Sequence, residues 1–396
     1  MPDYPSPSPA PNQNAGIDQD SLNLVLAGVR RLVDEVLIPA EAETDESGAI
    51  PPTVAKQMQE FGLFGLSVPA EYGGLGLSIA QEVAVVFELC RASPSFRSLI
   101  GTTVGVGGKS IAYDGTQAQK DRYLPQIARG ETIVSFCLTE PDSGSDAAGL
   151  RTTAQRDGDG GDWLINGTKR FVSNAPIAGL FTVMARSEPG SAGSKGVSAF
   201  LVEADTPGLQ VQPPWKKMGQ NGAAVADVVF DNVRVPAGAL LGGREGQGLR
   251  TAMKALDAGR IHIAAVAVGL ATRLLEEATS YAQERKQFGE PLAQFQLIQG
   301  MLADSETDRL AARALVESVA ARVDAGERVI REAAAAKLFA TETCWRIADR
   351  AVQIHGGYGY MREYPVERLF RDARLLRLFE GTSQIMQVVI ARDLLK

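Results

Sequence analysis

Residues 132–149 read TIVSFCLTEPDSGSDAAG, and the change of pattern within them divides the chain. Thr132–Leu138 is a short run rich in β-branched and aromatic residues, stopped abruptly by the turn formers Pro141 and Gly144. Four runs of the same kind follow: Trp163–Lys169, Phe181–Ala185, Val197–Val202 and Val228–Val235. Turn-rich stretches such as residues 157–162 (DGDGGD) and 188–193 (EPGSAG) separate them. Strands spaced this closely, without helices between them, predict an antiparallel barrel or sandwich. Pro236 and the glycines from Gly242 to Gly248 close the β region.

Both flanks carry the helical period instead. Upstream, Leu22, Val25, Val29, Leu32, Val33 and Val36 recur at helical spacing, as do Ala80, Val83, Ala84, Phe87 and Cys90. Residues 69–76 (PAEYGGLG) form a loop between these runs. Downstream, the pattern predicts helices over roughly 249–284, 292–324, 328–354 and 382–394; with short loops they make an antiparallel four-helix bundle. The expected fold is therefore α+β and multidomain. Its parts are a disordered tail over 1–17, rich in Pro, Ser and Asn, a helical domain over 18–131, a β domain over 132–248 and a bundle over 249–396.

A chain of 396 residues accommodates more than one core, and 45% hydrophobic residues is ordinary for a globular protein. No stretch reads as apolar enough to span a bilayer. A formal charge of −7 leaves no basic footprint for nucleic acid. Cys90, Cys137 and Cys344 lie far apart, which argues against zinc sites and disulfides and for a reducing, cytoplasmic setting. The N-terminus lacks the basic and apolar regions of a secretory signal. His262 and His355 have no acids at ligand spacing, so neither a metal nor a Ser-His-Asp site is expected.

Glycine-rich stretches invite a nucleotide-binding reading that fails. Residues 105–110 (GVGGKS) resemble a phosphate loop, but Thr103 occupies the first glycine position and no strand precedes them; helix packing is the expectation. No complete GxGxxG follows a strand. Three stretches survive. In residues 136–149 a strand ends in Thr139, Gly144 and Ser145, whose hydroxyls and backbone suit a planar polar ring or a phosphate, or simply form a polar turn. Residues 356–360 (GGYGY) precede Arg371-Asp372-Ala373-Arg374, and their glycines equally suit a helix C-cap. Glu380 lies beside Leu375, Leu376, Leu378 and Phe379, where partial desolvation would raise its pKa towards that of a general base; Thr382 suits an N-cap.

In this order and spacing the three stretches resemble the acyl-CoA dehydrogenase family. Further matches are residues 285–289 (RKQFG), 302–304 (LAD), 217–219 (KMG) and 233–236 (VRVP). The resemblance covers nearly the whole chain from Phe61 to Ile390. It implies FAD held between the β domain and the bundle, across a subunit interface of a homotetramer. Phe136, Leu138 and Thr139 would line the flavin, Gly144 and Ser145 would contact the cofactor, and Phe171, Val172 and Ser173 would cover the other side. Arg285, Phe288, Gln353 and Gly357 would reach a neighbouring subunit's FAD, with Arg285 on its pyrophosphate. Thr382 and Gln384 would also touch FAD, while Ser145, Asp257, Arg260, Phe379 and Gly381 would contact an acyl-CoA substrate.

The implied reaction is α,β-dehydrogenation of the thioester to a trans-2-enoyl-CoA. Glu380 takes the α-proton as the β-hydride leaves to flavin N5, and electrons pass to an electron-transferring flavoprotein. The weakly acidic α-proton requires polarisation of the carbonyl, which in this family comes from the glutamate's backbone N–H and a ribityl hydroxyl, about 3–4 kcal/mol for each donor. Two departures stand out: Phe171 occupies a position where tryptophan is common, and Asn221 replaces a frequent arginine. Some branches carry the base at the position of Gly259, which cannot serve, so Glu380 is unopposed. An oxidase using oxygen and a silent assembly protein on the same fold are the competing readings; aspartate at 380 would have suited a nitroalkane oxidase. Small residues over Ser98–Gly108 suggest the floor of the acyl pocket, with a lean to short or branched chains.

Overall fold

The structure is a computed structural model and describes residues 15–158, 161–188 and 190–396. Most of the expected 1–17 tail therefore lies outside the described residues. Its end is tied down: Gly16 N–H donates to the Gly76 carbonyl, and Ile17 N–H to Gln81 Oε1.

The N-terminal domain contains α1 (Gln19–Leu32), α2 (Glu41–Ser47), α3 (Pro52–Glu60), α4 (Ile79–Leu89), α5 (Pro94–Ile100), α6 (Gly108–Asp114) and α7 (Gln117–Ala128). The sequence encodes their starts locally: Ser78 and Thr116 form capping boxes with Gln81 and Gln119. A wide, π-type turn over Gly101–Gly107 joins α5 to α6. A side chain at Gly107 would collide with Val134 and one at Gly108 with the Thr103 carbonyl, so these two glycines serve close packing, whereas Gly105 faces open space.

The β domain holds β1 (Val134–Cys137), β2 (Thr153–Asp157), β3 (Asp162–Ser173), β4 (Leu180–Arg186), β5 (Val197–Glu203), β6 (Leu209–Val211) and β7 (Val225–Val235). They form one seven-stranded sheet in the order β1-β4-β2-β3-β7-β6, with β5 on the other edge of β4. Two pairings depart from a purely antiparallel reading: β1 runs parallel to β4, Val134 opposite Leu180, and β2 touches β4 in parallel at Thr153 and Arg186. β4 is buried along almost its whole length, as a strand paired on both edges inside a fold should be. Ser135 Oγ donates to the Ser173 carbonyl at 2.7 Å, drawing the start of the sheet towards β3 and curling it. Trp163 and Phe200, edge to face at 5.1 Å between ring centres, fill the interior.

The C-terminal domain consists of α8 (Gly248–Glu284), α9 (Gln296–Asp324), α10 (Ile330–His355), α11 (Pro365–Leu376) and α12 (Ser383–Leu394), with a hairpin of β8 (Lys286–Gln287) and β9 (Glu290–Pro291). α11 was not expected. α8 also corrects the membrane reading, being long and apolar enough by composition to cross a bilayer; its apolar surface is instead buried by the helices around it.

The domains are joined by buried polar contacts. Asp324 at the end of α9 accepts N–H bonds from Ile79 and Ala80, capping α4 from the bundle. Asp372 on α11 accepts Ser93 Oγ–H at 2.6 Å and the Gln220 N–H, so one carboxylate touches all three domains. Burial pushes the Asp372 carboxyl up to about 6. The Arg371-Asp372-Ala373-Arg374 motif is thus partly a domain clasp. Arg371 completes it through Asp45, Glu367 and the Met218 carbonyl.

Candidate active site

Glu380 sits between α11 and α12 with φ +52°, a left-handed conformation that costs a non-glycine residue on the order of 1–3 kcal/mol. Two neighbours fix it there. Lys337 on α10, fully buried, donates from Nζ to the Gly381 carbonyl at 2.8 Å. Thr382 caps α12 by accepting Ile385 N–H, as the sequence predicts. The Glu380 residue is only partly buried, but its Oε2 is sealed and has no hydrogen-bond partner among the described residues. Its backbone N–H likewise makes no hydrogen bond among the described residues. Burial raises the carboxyl's pKa above the usual carboxylate value, against the opposing cations of Arg97, Lys337 and Arg260. The same burial pulls the Lys337 ammonium down to about 8, with Glu380 opposing.

Oε2 of Glu380 occupies the space beside Gly259 on α8, where any Cβ would overlap it. The two alternative base positions read from the sequence therefore converge on one spot. Phe379 packs against the bundle core, and Gly381 holds a φ of +99°. Next to Gly259 on α8, Arg260 donates from Nη1 to Asp257 Oδ1, one turn back, at 2.5 Å. Asp257 also borders a cleft with Tyr113, Lys254, Ile261 and Val329. Arg260 is thus engaged within its own helix, although its Nε has no hydrogen-bond partner among the described residues.

The strand-exit residues form a second group. Phe136, Leu138 and Thr139 are half-buried at the end of β1, and Gly144 and Ser145 are exposed on the turn. A buried ion pair supports this exit: Lys169 Nζ lies 2.7 Å from Glu140 Oε1, which also accepts Thr152 N–H. Alongside, Arg170 N–H bonds the Thr139 carbonyl, and a register shift in β3 turns Phe171 outward at φ +56°. Phe171 is 59% exposed and tilts against Trp215, 6.0 Å away. Ser173 is half-buried, but the Val172 side chain lies in the β-domain core and cannot cover a ring. Asn221 fills the place of the missing arginine by bonding Asp45.

Arg285, Phe288, Gln353 and Gly357 make a third group. Arg285 lies over the Tyr358 ring at 5.1 Å, while Gln353 and Gly357 are exposed at the end of α10. Phe288 is 95% exposed at φ +53° on the β8–β9 hairpin. No hydrogen bond or ion pair among the described residues joins this group to the strand exit. Gln384 is exposed on the first turn of α12. A half-open shelf at β1, an outward aromatic at Phe171 and a guanidinium near a helix end fit a flat, partly apolar cofactor carrying phosphates.

Sequence reasoning missed Lys337, Arg97 and Trp215. It also separated His262 from Glu82, which the fold places 2.8 Å apart in a buried cluster with Lys109. Only charged residues in an otherwise apolar helical stretch could have signalled such burial.

The architecture and site define a three-domain flavoprotein acting on acyl thioesters, and comparison with known proteins supports this. Residues 19–131, 135–233 and 246–395 match the N-terminal, middle and C-terminal domains of acyl-CoA dehydrogenase. The chain is 40% identical to the 3-(aryl)acrylate reductase of Clostridium sporogenes, over 93% of this chain and 96% of that one. It is also 40% identical to the caffeyl-CoA reductase-Etf complex subunit CarC of Acetobacterium woodii, over 89% and 92%. The structure of butyryl-CoA dehydrogenase from Megasphaera elsdenii superposes with a TM-score of 0.92 at 34% identity, over 96% and 99%. The chain belongs to the acyl-CoA dehydrogenase family, whose members are FAD-binding flavoproteins and oxidoreductases acting on CH–CH groups.

Proposed function

We propose that this chain catalyses α,β-dehydrogenation of an acyl-CoA thioester, with Glu380 as the base. The observation that carries this reading is the sealed, unpartnered Oε2 of Glu380 beside Gly259. A desolvated carboxylate with a raised pKa is a stronger base than one in water, which suits removal of a weakly acidic α-proton. The unbonded N–H of Glu380 is positioned in the chain to donate to a thioester carbonyl as negative charge develops there. Lys337 holds the next peptide still by binding the Gly381 carbonyl, so base and donor keep one geometry. Bound FAD would supply the acceptor for the β-hydride. Phe136, Leu138, Thr139, Gly144, Ser145, Phe171, Ser173, Thr382 and Gln384 would hold it. Arg285, Phe288, Gln353 and Gly357 would serve a neighbouring copy in a homotetramer, which accounts for a phenyl ring left 95% exposed. An electron-transferring flavoprotein is the proposed electron acceptor.

The reductase relatives favour a second reading, in which the same site works in reverse and Glu380 delivers its proton to the α-carbon of an enoyl-CoA. Anaerobic mixing of the holoenzyme with saturated acyl-CoAs tests the first reading through bleaching of the flavin. Glu380→Gln should keep FAD and lose at least about 10³ of the bleaching rate. Substantial reduction by that variant would show the base to be elsewhere.

A further inference from the structure

Phe171 holds its outward pose against its own backbone preference. Between Lys169 and Val172 the pairing of β3 with β7 slips, so that Arg170 and Phe171 together stand opposite Asp227 in a β-bulge. A φ of +56° is costly for an aromatic residue and persists only where its surroundings fix it. Those surroundings centre on Asp227, which is 9% exposed. Its Oδ2 accepts Arg170 Nε and Nη2 at 3.2 and 3.1 Å, and its Oδ1 accepts the Trp215 indole N–H at 2.9 Å. The Arg170 guanidinium also lies over the Trp215 ring, 5.6 Å from its centre. Burial works to raise the Asp227 pKa, but the Trp215 N–H, Arg170 and the Phe171 N–H hold it below the usual carboxylate value, so the brace stays ionised.

Trp215 is held by its backbone as well, its N–H donating to the Val225 carbonyl at 2.8 Å, and Pro213 and Pro214 restrict the chain that leads to it. Yet the indole is 47% exposed and lies outside the β-domain core. A ring fixed through its N–H, its face and its backbone, but left out of the core, is placed for what stands beside it. That neighbour is Phe171, tilted at 58° with ring centres 6.0 Å apart. On the other flank, Arg170 N–H bonds the Thr139 carbonyl, which ties the same unit to the strand exit. We propose that Trp215 is a positioning residue for the cofactor: braced by Asp227 and Arg170, it backs the Phe171 ring and keeps it over the flavin. This inference rests on the reading of Phe171 as a cover for FAD.

The test follows two properties of the holoenzyme, the Kd for FAD and the quenching of bound-flavin emission by iodide. Both are measured in wild type, Trp215→Leu, Trp215→Phe, Phe171→Ala and the Phe171→Ala/Trp215→Leu pair. Trp215→Leu should weaken FAD binding by about three- to tenfold, the size of one aromatic pair, and raise the iodide quenching constant about threefold. Trp215→Phe, which keeps a ring but loses the bond to Asp227, should fall between the two. In the Phe171→Ala background Trp215→Leu should add nothing further, because Trp215 acts through that ring. Additive losses in the pair overturn the proposal, since Trp215 would then act on the cofactor or on the β domain by itself. If Trp215→Leu does not fold, Trp215→Phe takes its place in the same cycle, and additivity is again the overturning result. Should Phe171→Ala move both properties while neither Trp215 variant does, this inference fails and the flavin reading of Phe171 stands. If Phe171→Ala leaves both unchanged, that reading fails and the inference with it.

Discussion

Gly259 and Glu380 share one space: the hydrogen where a side chain would begin on α8 is all that separates that helix from Oε2 of the carboxylate. Glycine at 259 thus does more than leave Glu380 as the remaining base candidate; it makes the pocket into which that base fits.

Gly259→Ala should displace the carboxylate and slow flavin reduction by about 10–100-fold with FAD content unchanged. A paired exchange, Gly259→Glu with Glu380→Gly, should recover activity relative to Glu380→Gly alone. A Gly259→Ala enzyme as fast as wild type would mean that Oε2 is not confined as described.

Because burial raises the Glu380 pKa, the reduction rate should climb with pH through an apparent pKa above the ordinary carboxylate value. Lys337→Met removes a cation that holds this pKa down, so the acid limb should move to higher pH. Stopped-flow rates from pH 5 to 9 (roughly the range set by these groups) would show it. A limb that stays put, or moves down, contradicts the electrostatic account of Lys337.

Arg285→Ala should weaken cofactor retention, read as the flavin-to-protein ratio after dilution and gel filtration. Its guanidinium lies over the Tyr358 ring with no ion pair or side-chain hydrogen bond among the described residues, so the folded chain should lose little stability. Unchanged FAD content would remove Arg285 from the phosphate role.

Lys169→Met should destabilise the β domain by about 3–5 kcal/mol, because Glu140 would remain buried without its cation. Glu140→Gln in the same chain should restore part of that loss in urea melts. If Lys169→Met were neutral, the strand exit would owe its shape to the turn residues alone.

Much of this was legible because periodicity and turn chemistry are local. β3, β4, β5 and β7 announce themselves by β-branched runs, and Thr382 by its cap. β2 (TAQRD) did not, since its residues lack that enrichment, and β6 is too short at three residues. α11 was hidden by its own chemistry: residues 371–374 read as a motif, while the segment over 365–376 is an amphipathic helix with Val366, Leu369, Ala373 and Leu376 inward. The parallel β1–β4 pair depends on a crossing that no local pattern encodes. In the site, Glu380 could be found from its apolar neighbours, but Lys337 and Arg97 could not. A lone charge in sequence reads as a solvated face, and only the fold reveals that one bonds Gly381 and that the other is buried.

The carboxylate of Asp372 also sets an order of events. Ser93 and Gln220 leave the ribosome long before it, so two domains must wait with their shared seam open until α11 arrives. A nascent or truncated chain that stops short of α11 lacks that closing contact entirely. Chaperones and proteases would therefore meet it as separate pieces, and the complete chain as a single body.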